Sequence, residues 1–226
     1  MTSSIASFES FDDTNPDCMD KVAELLSIRS IDLFHDITTP SRVLKVHVRP
    51  VHKIRSKVLN GCLNLVDQNL REHYIRNNGK DWKIDKKEEM SENGLVYVYY
   101  KDQETGALAA FMSYMLTYND PESKDEKVLY LYEIHVSREY QSSKIGTTLI
   151  DNYHKLSQDL NNSNDILESD ATSLTVFSDN LKALNWYKKM GYKYTKDSPR
   201  DKVLRKKVVK PPYYLLTRKN IDSNLT

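Results

Sequence analysis

The sequence predicts an α/β (α+β) protein in which helices flank a mixed, mostly antiparallel sheet and an N-terminal helical extension precedes that sheet. Residues 95–100 and 108–118 are rich in β-branched and aromatic side chains, and the turn sequence between them predicts a hairpin. A strand over 128–136, a helix over 145–160 and a strand over 174–177 follow. This strand–helix–strand unit predicts a parallel pair with a right-handed crossover, which makes the sheet mixed.

The N-terminal quarter of the chain precedes the regular pattern. Residues 1–16 are rich in Ser, Asp and Thr and predict a flexible tail. Apolar residues recur at helical spacing after Asp17, which can cap a short helix. Residues 30–56 have no clear period, and the whole of 17–56 is assigned to the helical extension.

One domain is expected to occupy most of the chain. Apolar residues three to four positions apart predict an amphipathic helix over 57–74. A further helix over 180–190 and a last strand over 213–217 complete the predicted order. The domain is therefore assigned to 57–219, and residues 220–226 are assigned to a C-terminal tail.

Charge and composition exclude several classes of function. Lys and Arg total 33 against 32 for Asp and Glu, which gives a formal net charge of +1. A balance this even gives the whole chain no electrostatic reason to bind nucleic acid or an anionic membrane. The longest uncharged run, Thr105 to Asn119, contains several polar residues and is too short to span a bilayer. We expect neither nucleic acid nor membrane as a direct partner.

Cysteine and histidine spacing predicts no metal site. Cys18 and Cys62 form no CxxC pair, and none of the 6 histidines has the spacing of a metal ligand set. The N-terminus has no apolar signal core, and its first basic residue is Lys21, which argues against a secretory or mitochondrial address. We expect the nucleus and cytoplasm. The basic run over 202–210 is either a nuclear address or a solvated loop.

Two sequence motifs point to a family. The predicted strand that ends at Val136 leads into a turn of small residues and a helix start, an arrangement whose backbone N–H groups can hold a phosphate. The pattern V-S-x-x-Y-Q-x-x-K-I-G-x-x-L begins at Val136, and N-x-x-A-x-x-x-Y-x-x-x-G-Y begins at Asn180. Together they resemble the GCN5-related N-acetyltransferases (GNAT).

Over residues 57–219 the chain also resembles the NatD-type N-terminal acetyltransferases of this superfamily, which modify the two core histones that begin Ser-Gly-Arg-Gly-Lys. The segments that carry this resemblance are Tyr74, Trp82, 87–90, 110–111, 129–133 and 174–177. The resemblance implies the GNAT fold, acetyl-CoA as co-substrate and histone N-terminal tails as partners. We expect a monomer.

The resemblance also implies roles for individual residues. Those expected beside acetyl-CoA are Ile134, His135, Val136, Ser142, Ser143, Lys144, Ile145, Gly146, Thr147 and Asn180. Those expected to line the peptide pocket are Tyr74, Trp82, Tyr130, Tyr132, Thr175 and Tyr213. Those expected to act in catalysis are Glu133, Tyr132 and Tyr187, with Glu133 as general base and Tyr187 as the acid for the leaving thiolate.

The chain departs from the family pattern at two places. Lys144 stands where the phosphate-binding turn of the family has its first glycine. A Cβ there restricts the approach of the backbone to a phosphate, so we expect acetyl-CoA to bind more weakly, although the ammonium can still pair with a phosphate. A second tryptophan of the NatD pattern is also absent, since Lys80 or Asp81 occupies its position.

Elementary amine chemistry agrees with an α-amine as the acceptor. An α-amine with a pKa of about 7.7–8.0 is roughly 10% neutral at pH 7, whereas a lysine is less than about 0.1% neutral. One carboxylate with a raised pKa could therefore serve as the base. An arginine at the third substrate position would also need carboxylates, and four precede the key strand: Asp120, Glu122, Asp125 and Glu126.

Other interpretations stay open at this point. The protein could instead acetylate a lysine or a small amine, or bind CoA or histone tails without catalysis. Glu133 could be a structural carboxylate paired with a nearby lysine. Tyr130 could serve packing alone, and His135 could be a hydrogen-bonded strand histidine.

Overall fold

The structure is a computed structural model, described for residues 10–39, 41–163 and 165–221 of the 226-residue chain. The α-helices of these residues are α1 (Pro16–Ile31), α2 (Ser56–Asn78), α3 (Trp82–Glu89), α4 (Ile145–Asn161) and α5 (Leu181–Lys189). The strands are β1 (Ile37–Thr38), β2 (Val43–Pro50), β3 (Val96–Asp102), β4 (Leu108–Tyr118), β5 (Lys127–Val136), β6 (Ala171–Phe177), β7 (Lys193–Tyr194), β8 (Lys202–Leu204), β9 (Lys207–Val209) and β10 (Tyr213–Lys219).

Eight strands form one sheet in the order β1-β2-β3-β4-β5-β6-β10-β7. Neighbouring strands are antiparallel except β5 and β6, which are parallel and are joined through α4. The predicted fold, a mixed and mostly antiparallel sheet flanked by helices and preceded by a helix, is confirmed.

Helices cover both faces of the sheet because strand residues alternate between two cores. Tyr97 belongs to the core that includes α2 and α3, whereas its neighbours Val96 and Val98 belong to the core that includes α1, α4 and α5. In α4, buried residues recur every three to four positions and turn one side of the helix to the sheet. The central strands are therefore buried on both sides, which makes them a rigid base for a site at their ends.

The assignment of all of residues 17–56 to a helical extension was wrong. Residues 37–38 and 43–50 form β1 and β2, and β2 pairs with β3 from Leu44 to Pro50. In β2 the buried Leu44 and Val48 alternate with the exposed Lys45 and Arg49. This segment therefore extends the main sheet, and only α1 is a helix that precedes it.

The predicted N-terminal tail lies partly outside the described residues, which begin at residue 10. Within them, Phe11 packs on Tyr118 with ring centroids 5.3 Å apart, and the Thr117 hydroxyl donates to Asp13. Residues 11–13 are thus attached to the end of β4, and the prediction of a free tail was wrong for them.

The predicted C-terminal tail also falls mostly outside the described residues, which end at residue 221. The Asn220 amide donates to the carbonyls of Ser157 and Ser169, so the chain is still held to the domain there. The basic run over 202–210 forms the two-stranded β8–β9 hairpin, and all of its residues are exposed. Within the described residues, no helix combines the length and apolar character that a membrane crossing requires.

Candidate active site

The site is built where β5 and β6 separate. The two strands pair from Val128–Ala171 to Leu131–Leu174, and within the described residues no further pair follows. A β-bulge adds Tyr132 to β5, because Ser113 pairs with Glu133 while Tyr114 pairs with Leu131. The end of β5 therefore presents an unpaired backbone edge, with Glu133 as the first residue after the bulge.

The gap opens into a cleft of about 2000 Å³. The predicted site residues on its wall are Tyr74, Tyr130, Tyr132, Glu133, Ile134, His135, Val136, Ser142, Lys144, Ile145, Gly146, Thr147, Thr175, Asn180, Tyr187 and Tyr213. Two predicted residues, Trp82 and Ser143, are absent from that wall. The structure thus brings the phosphate-binding turn, the end of β5 and the tyrosines to one cavity.

One end of the cleft can hold an anion. Ser142 and Lys144 have φ angles of 64° and 60°, and α4 begins directly after them. Among the described residues, no backbone acceptor is found for the N–H groups of 142–147. Free N–H groups in a left-handed turn at the start of a 17-residue helix form an anion site. This turn fits the pyrophosphate of a coenzyme A molecule.

Lys144 adopts the left-handed conformation that the glycine of the family pattern would adopt. A side chain there costs about 1–2 kcal/mol, which other interactions of the fold must offset. Within the described residues Lys144 makes no salt bridge, and its side chain lies on the cleft wall. Its ammonium is therefore free to pair with a phosphate.

Glu133 is the centre of a buried polar cluster. Its carboxylate is 2.5 Å from Lys86 Nζ through Oε1 and 2.5 Å from His135 Nε2 through Oε2. The Tyr74 hydroxyl also donates to Oε1, at 3.1 Å. The carboxylate is 6% exposed, so its negative charge is balanced by these three donors more than by water.

The expectation of a raised pKa for Glu133 was wrong. Burial alone raises the pKa of this carboxyl, but the charge of Lys86 and the contact with His135 outweigh it and lower the pKa to about 2. The carboxylate is therefore an anion at every pH at which the protein would be used. It accepts hydrogen bonds well and takes up protons poorly.

The contact with Asn69 indicates which ring nitrogen of His135 carries a proton. The Asn69 amide nitrogen is 3.3 Å from His135 Nδ1 and donates to the carbonyl of Val136 at 3.2 Å. With Nδ1 as acceptor, the proton of the neutral ring is on Nε2, which donates to Glu133. His135 is thus hydrogen-bonded on both nitrogens, and it orients the carboxylate.

Tyrosines line the other end of the cleft. The hydroxyls of Tyr130 and Thr175 are 2.5 Å apart across the gap between β5 and β6. Tyr132 packs edge-on against Tyr130 and donates its hydroxyl to Glu92 at 3.3 Å. Tyr213, on β10, is 40% exposed and adds an open side to this pocket. A short polar peptide end matches this mixture of rings and hydroxyls.

Trp82 was expected to contact the peptide, and the structure corrects this. Its ring is 3% exposed and stacks on Tyr74 at a centroid distance of 4.2 Å. The other side of Tyr74 meets the edge of Phe177. Trp82 therefore supports the tyrosine from behind and does not reach the cleft.

Tyr187 lies on α5, and Asn180 directly precedes this helix. The Asn180 side chain caps α5 by accepting from the N–H of Ala183, at 3.2 Å. The Tyr187 ring packs against Tyr192, and burial raises the pKa of its phenol. The phenol therefore stays protonated at neutral pH and can donate a hydrogen bond into the cleft.

The four carboxylates of the 120–126 loop do not line the cleft. Asp120 accepts the backbone N–H groups of Glu122 and Ser123, and Glu126 pairs with Lys219. Their expected contact with a substrate arginine stays a prediction. Among the described residues, no cluster of His, Cys, Asp and Glu is arranged to hold a metal ion.

Sequence reasoning missed several residues on the cleft wall, above all Lys86, Asn69 and His73. His73 Nδ1 is 2.7 Å from Asp179, which also pairs with Arg76, so α2 is held to the start of α5. Burial alone raises the pKa of Asp179, but His73 and Arg76 lower it overall. One signal for Lys86 was available, because it follows Trp82 by one helical turn and shares its face.

Comparisons with known proteins agree with this geometry. The chain is 34% identical to N-alpha-acetyltransferase 40 of Saccharomyces cerevisiae over 165 residues, which are 66% of this chain and 56% of that protein. A GNAT acetyltransferase from Listeria monocytogenes superimposes with a TM-score of 0.50 at 17% identity, over 81% of this chain and 99% of that one.

Arabidopsis thaliana NAA60, in complex with a bisubstrate analogue, also superimposes with a TM-score of 0.50 at 17% identity, over 79% of this chain and 100% of that one. At such identities the two structures support the fold alone. The sequence profile of the acetyltransferase (GNAT) family matches residues 64–192, which is more than half of the chain. The chain belongs to the acetyltransferase (GNAT) family.

Proposed function

We propose that the protein transfers an acetyl group from acetyl-CoA to the N-terminal α-amine of histones that begin Ser-Gly-Arg-Gly. The observation that carries this proposal is the position of Glu133, a buried anion between an anion-binding turn and a tyrosine-lined pocket. Similarity to a protein named N-alpha-acetyltransferase supports an α-amine as the acceptor. The chain spans 56% of that relative, and nucleus and cytoplasm stay predicted locations.

The chain can bind the two ends of acetyl-CoA separately. The N–H groups of 142–147 and the Lys144 ammonium would hold the pyrophosphate. The unpaired edge of β5 after Leu131 offers backbone groups to the amides of the pantetheine arm. When bound, acetyl-CoA supplies an activated acetyl thioester. Glu133 lies at the start of this edge, so a thioester held along it would come close to the Glu133 carboxylate.

Glu133 would act on the acceptor amine by its charge. The charge of Lys86 holds the pKa of the Glu133 carboxyl below its usual range, so Glu133 is a weak base toward an ammonium with a pKa of about 7.7–8.0. We infer that the amine loses its proton to water. The Glu133 anion then accepts a hydrogen bond from the neutral amine and stabilises the positive charge that develops on the attacking nitrogen as the C–N bond forms. As the C–S bond breaks, coenzyme A leaves as a thiolate and the nitrogen releases its remaining extra proton to water.

Tyr187 would act on the opposite partner, the leaving sulfur. Its phenol stays protonated because burial raises its pKa, and it lies on the cleft wall. It can therefore donate a hydrogen bond as negative charge develops on the sulfur. Neither Cys18 nor Cys62 is on that wall, so we infer direct attack in a ternary complex without an acyl-enzyme.

The test uses purified protein, acetyl-CoA and three peptides, with products identified by mass spectrometry. One peptide begins Ser-Gly-Arg-Gly-Lys, one is the same with its α-amine blocked, and one has an unrelated N-terminus. We expect acetylation of the first alone. Acetylation of the blocked peptide would show that a lysine side chain is the acceptor, which would contradict the proposal.

A Glu133→Gln variant separates an enzyme from a binding module. The amide keeps the size of the side chain and loses the anion, so turnover should fall by about 100-fold or more. Binding of the peptide, measured by calorimetry, should change by less than about 1 kcal/mol, since the rest of the pocket is intact. A protein that only binds CoA or peptides would show no turnover in either form.

A further inference from the structure

One buried ammonium in the cleft wall has no role in the reaction as described so far. Lys86 is 4% exposed, although lysine is almost never fully buried unless its charge is paired. It lies on the short helix α3, one turn after Trp82, which fixes that helix against Tyr74. The burial of Lys86 is therefore imposed by the packing of α3 on α2.

The contacts of Lys86 are directed at the catalytic carboxylate. Its Nζ is 2.5 Å from Glu133 Oε1 and 2.6 Å from Glu89 Oε1. It is also 5.5 Å from the centroid of the Tyr74 ring, whose hydroxyl donates to the same oxygen of Glu133. Lys86 therefore reaches Glu133 from α3, an element separate from the strand that carries the carboxylate.

We propose that Lys86 is a positioning residue, which holds the Glu133 carboxylate in place as an anion facing the acceptor amine. This inference rests on the proposed acetyl transfer. Tyr74 and His135 each hydrogen-bond one oxygen of the carboxylate and so orient it. Lys86 adds an ammonium 2.5 Å from Oε1, which is positively charged throughout the neutral pH range.

Removal of that charge would change the state of Glu133. A buried carboxylate without a cationic partner is destabilised, and protonation relieves the cost. A protonated carboxyl at this position no longer carries the charge that stabilises the attacking nitrogen. The ionisable groups that face Glu133 are Tyr74 of α2, Lys86 and Glu89 of α3, Tyr97 of β3, His135 of β5 and Tyr187 of α5. Of these, Lys86 alone keeps a positive charge above neutral pH.

The first test is Lys86→Met, which keeps the length of the side chain and removes its charge. In the wild type the pKa of Glu133 is low, so Glu133 does not limit the rate between pH 6 and pH 9. In the variant its pKa rises, and activity should be lost as the pH falls. We expect kcat to decrease about tenfold at pH 8 and about 100-fold at pH 6, with the KM for acetyl-CoA changed less than about twofold.

Two further variants control for the fold. Lys87→Met alters the next residue of the same helix, which is exposed, and should leave kcat unchanged at both pH values. Lys86→Arg keeps the charge and should recover most of the activity and the wild-type pH profile. If Lys86→Met lowers kcat by the same factor at pH 6 and at pH 8, the proposal is overturned, because a purely structural role predicts no pH dependence.

A double-mutant cycle tests whether Lys86 acts through Glu133. In a Glu133→Gln background, Lys86→Met should change the residual rate by less than about twofold, because the group it positions is already neutral. Full additivity of the two effects would contradict the inference.

A readout without turnover keeps this inference separate from the proposed function. If the wild type acetylates none of the peptides, the proposed function fails. The effect of Lys86 on the charge of Glu133 is then tested by NMR alone. The ¹³C carboxyl signal of Glu133, assigned from its loss in Glu133→Gln, should titrate at a higher pH in Lys86→Met than in the wild type. An unchanged titration would overturn the role of Lys86.

Discussion

The buried ionisable residues of the cleft are in different charge states. The Glu133 carboxylate has cationic and neutral donors around it, so it stays an anion although it is buried. Among the described residues no cation contacts the Tyr187 phenol, and burial keeps it protonated. One group can therefore stabilise positive charge on the amine while the other stabilises negative charge on the sulfur.

Tyr187→Phe tests the role of the phenol. The ring and its packing on Tyr192 are kept, so the fold should be unchanged. We expect kcat to decrease about 10- to 100-fold, with the KM for both substrates almost unaffected, because one hydrogen bond to the leaving group is lost. Steady-state kinetics measure this, and a rate within about twofold of the wild type would remove Tyr187 from the mechanism.

A matched control is Tyr192→Phe. Its hydroxyl bonds His154 and does not line the cleft, so this variant should keep its full activity.

Lys144→Ala tests the departure from the family pattern. The variant keeps the Cβ and the backbone turn, and loses the ammonium on the cleft wall. We expect the Kd for acetyl-CoA to rise about 3- to 10-fold at low ionic strength, and the difference to shrink at high salt as the charge is screened. Calorimetric titration measures both values. Lys155→Ala, an exposed lysine of the same helix, should bind as the wild type does.

An affinity that is equal in Lys144→Ala and the wild type at low salt would mean that the ammonium does not contact the phosphates.

Single residues of the site were predictable to different degrees. Glu133 and the turn before α4 lie in motifs whose spacing is fixed along the chain, so the sequence contains their positions. Lys86 could not be found in this way, because its charged partner is a carboxylate 47 positions further along the chain. The low pKa of Glu133 escaped prediction for the same reason, since its cation lies on another element.

At the scale of elements, the site depends on two irregularities in β5. The bulge at Tyr132 and the end of pairing at Leu131–Leu174 together turn a buried strand into an open edge. Trp82 of α3 stacks on Tyr74 of α2 and so supports a ring that lines the cleft. The cleft is thus formed between one irregular strand and one short helix.

Trp82→Phe tests whether this tryptophan supports the pocket or binds the peptide. A smaller ring can still stack on Tyr74 but fills the site less well, so the free energy of unfolding should fall by about 1–2 kcal/mol. The KM for the peptide should change less than about twofold, because no peptide contact is lost. Denaturant unfolding and steady-state kinetics measure the two effects. A tenfold rise in KM with unchanged stability would place the tryptophan in contact with the peptide.

Strands and helices with a strong period were predicted, and those with a weak period were not. The segments that became β3, β4 and β5 are rich in β-branched and aromatic residues, and α4 has a clear apolar side. In contrast, β2 contains Lys45, His47 and Arg49 and ends in a proline. Most residues of α3 are charged, and only Trp82 and Lys86 are buried in it. Tertiary packing, more than local pattern, forms these two elements.

At the scale of the whole molecule, the N-terminal helix belongs to the same core as the catalytic strands. Val22 and Leu26 of α1 are fully buried and pack with residues of β4, β5 and α4. Ser30 and Tyr114 share a buried hydrogen bond of 2.6 Å between α1 and β4. We therefore expect α1 and the sheet to unfold together.

Leu26→Ala tests this. The variant leaves a cavity in the shared core and should lower the free energy of unfolding by about 2–5 kcal/mol in a single transition. Ile28→Ala is the matched control on the same helix, where the side chain is 62% exposed, and it should change stability by less than about 0.5 kcal/mol. A separate early transition in Leu26→Ala, with the main one unchanged, would show that α1 is an independent appendage.

The most direct test of the central claim is a competition between two nitrogens of one peptide. A peptide that begins Ser-Gly-Arg-Gly-Lys offers both an α-amine and a lysine amine to the same enzyme and acetyl-CoA. Tandem mass spectrometry then identifies the acetylated nitrogen. The account predicts acetylation of the N-terminal serine, because the α-amine is neutral far more often at pH 7 and Glu133 is too weak a base to deprotonate lysine. Acetylation of the lysine with a free N-terminus would contradict it.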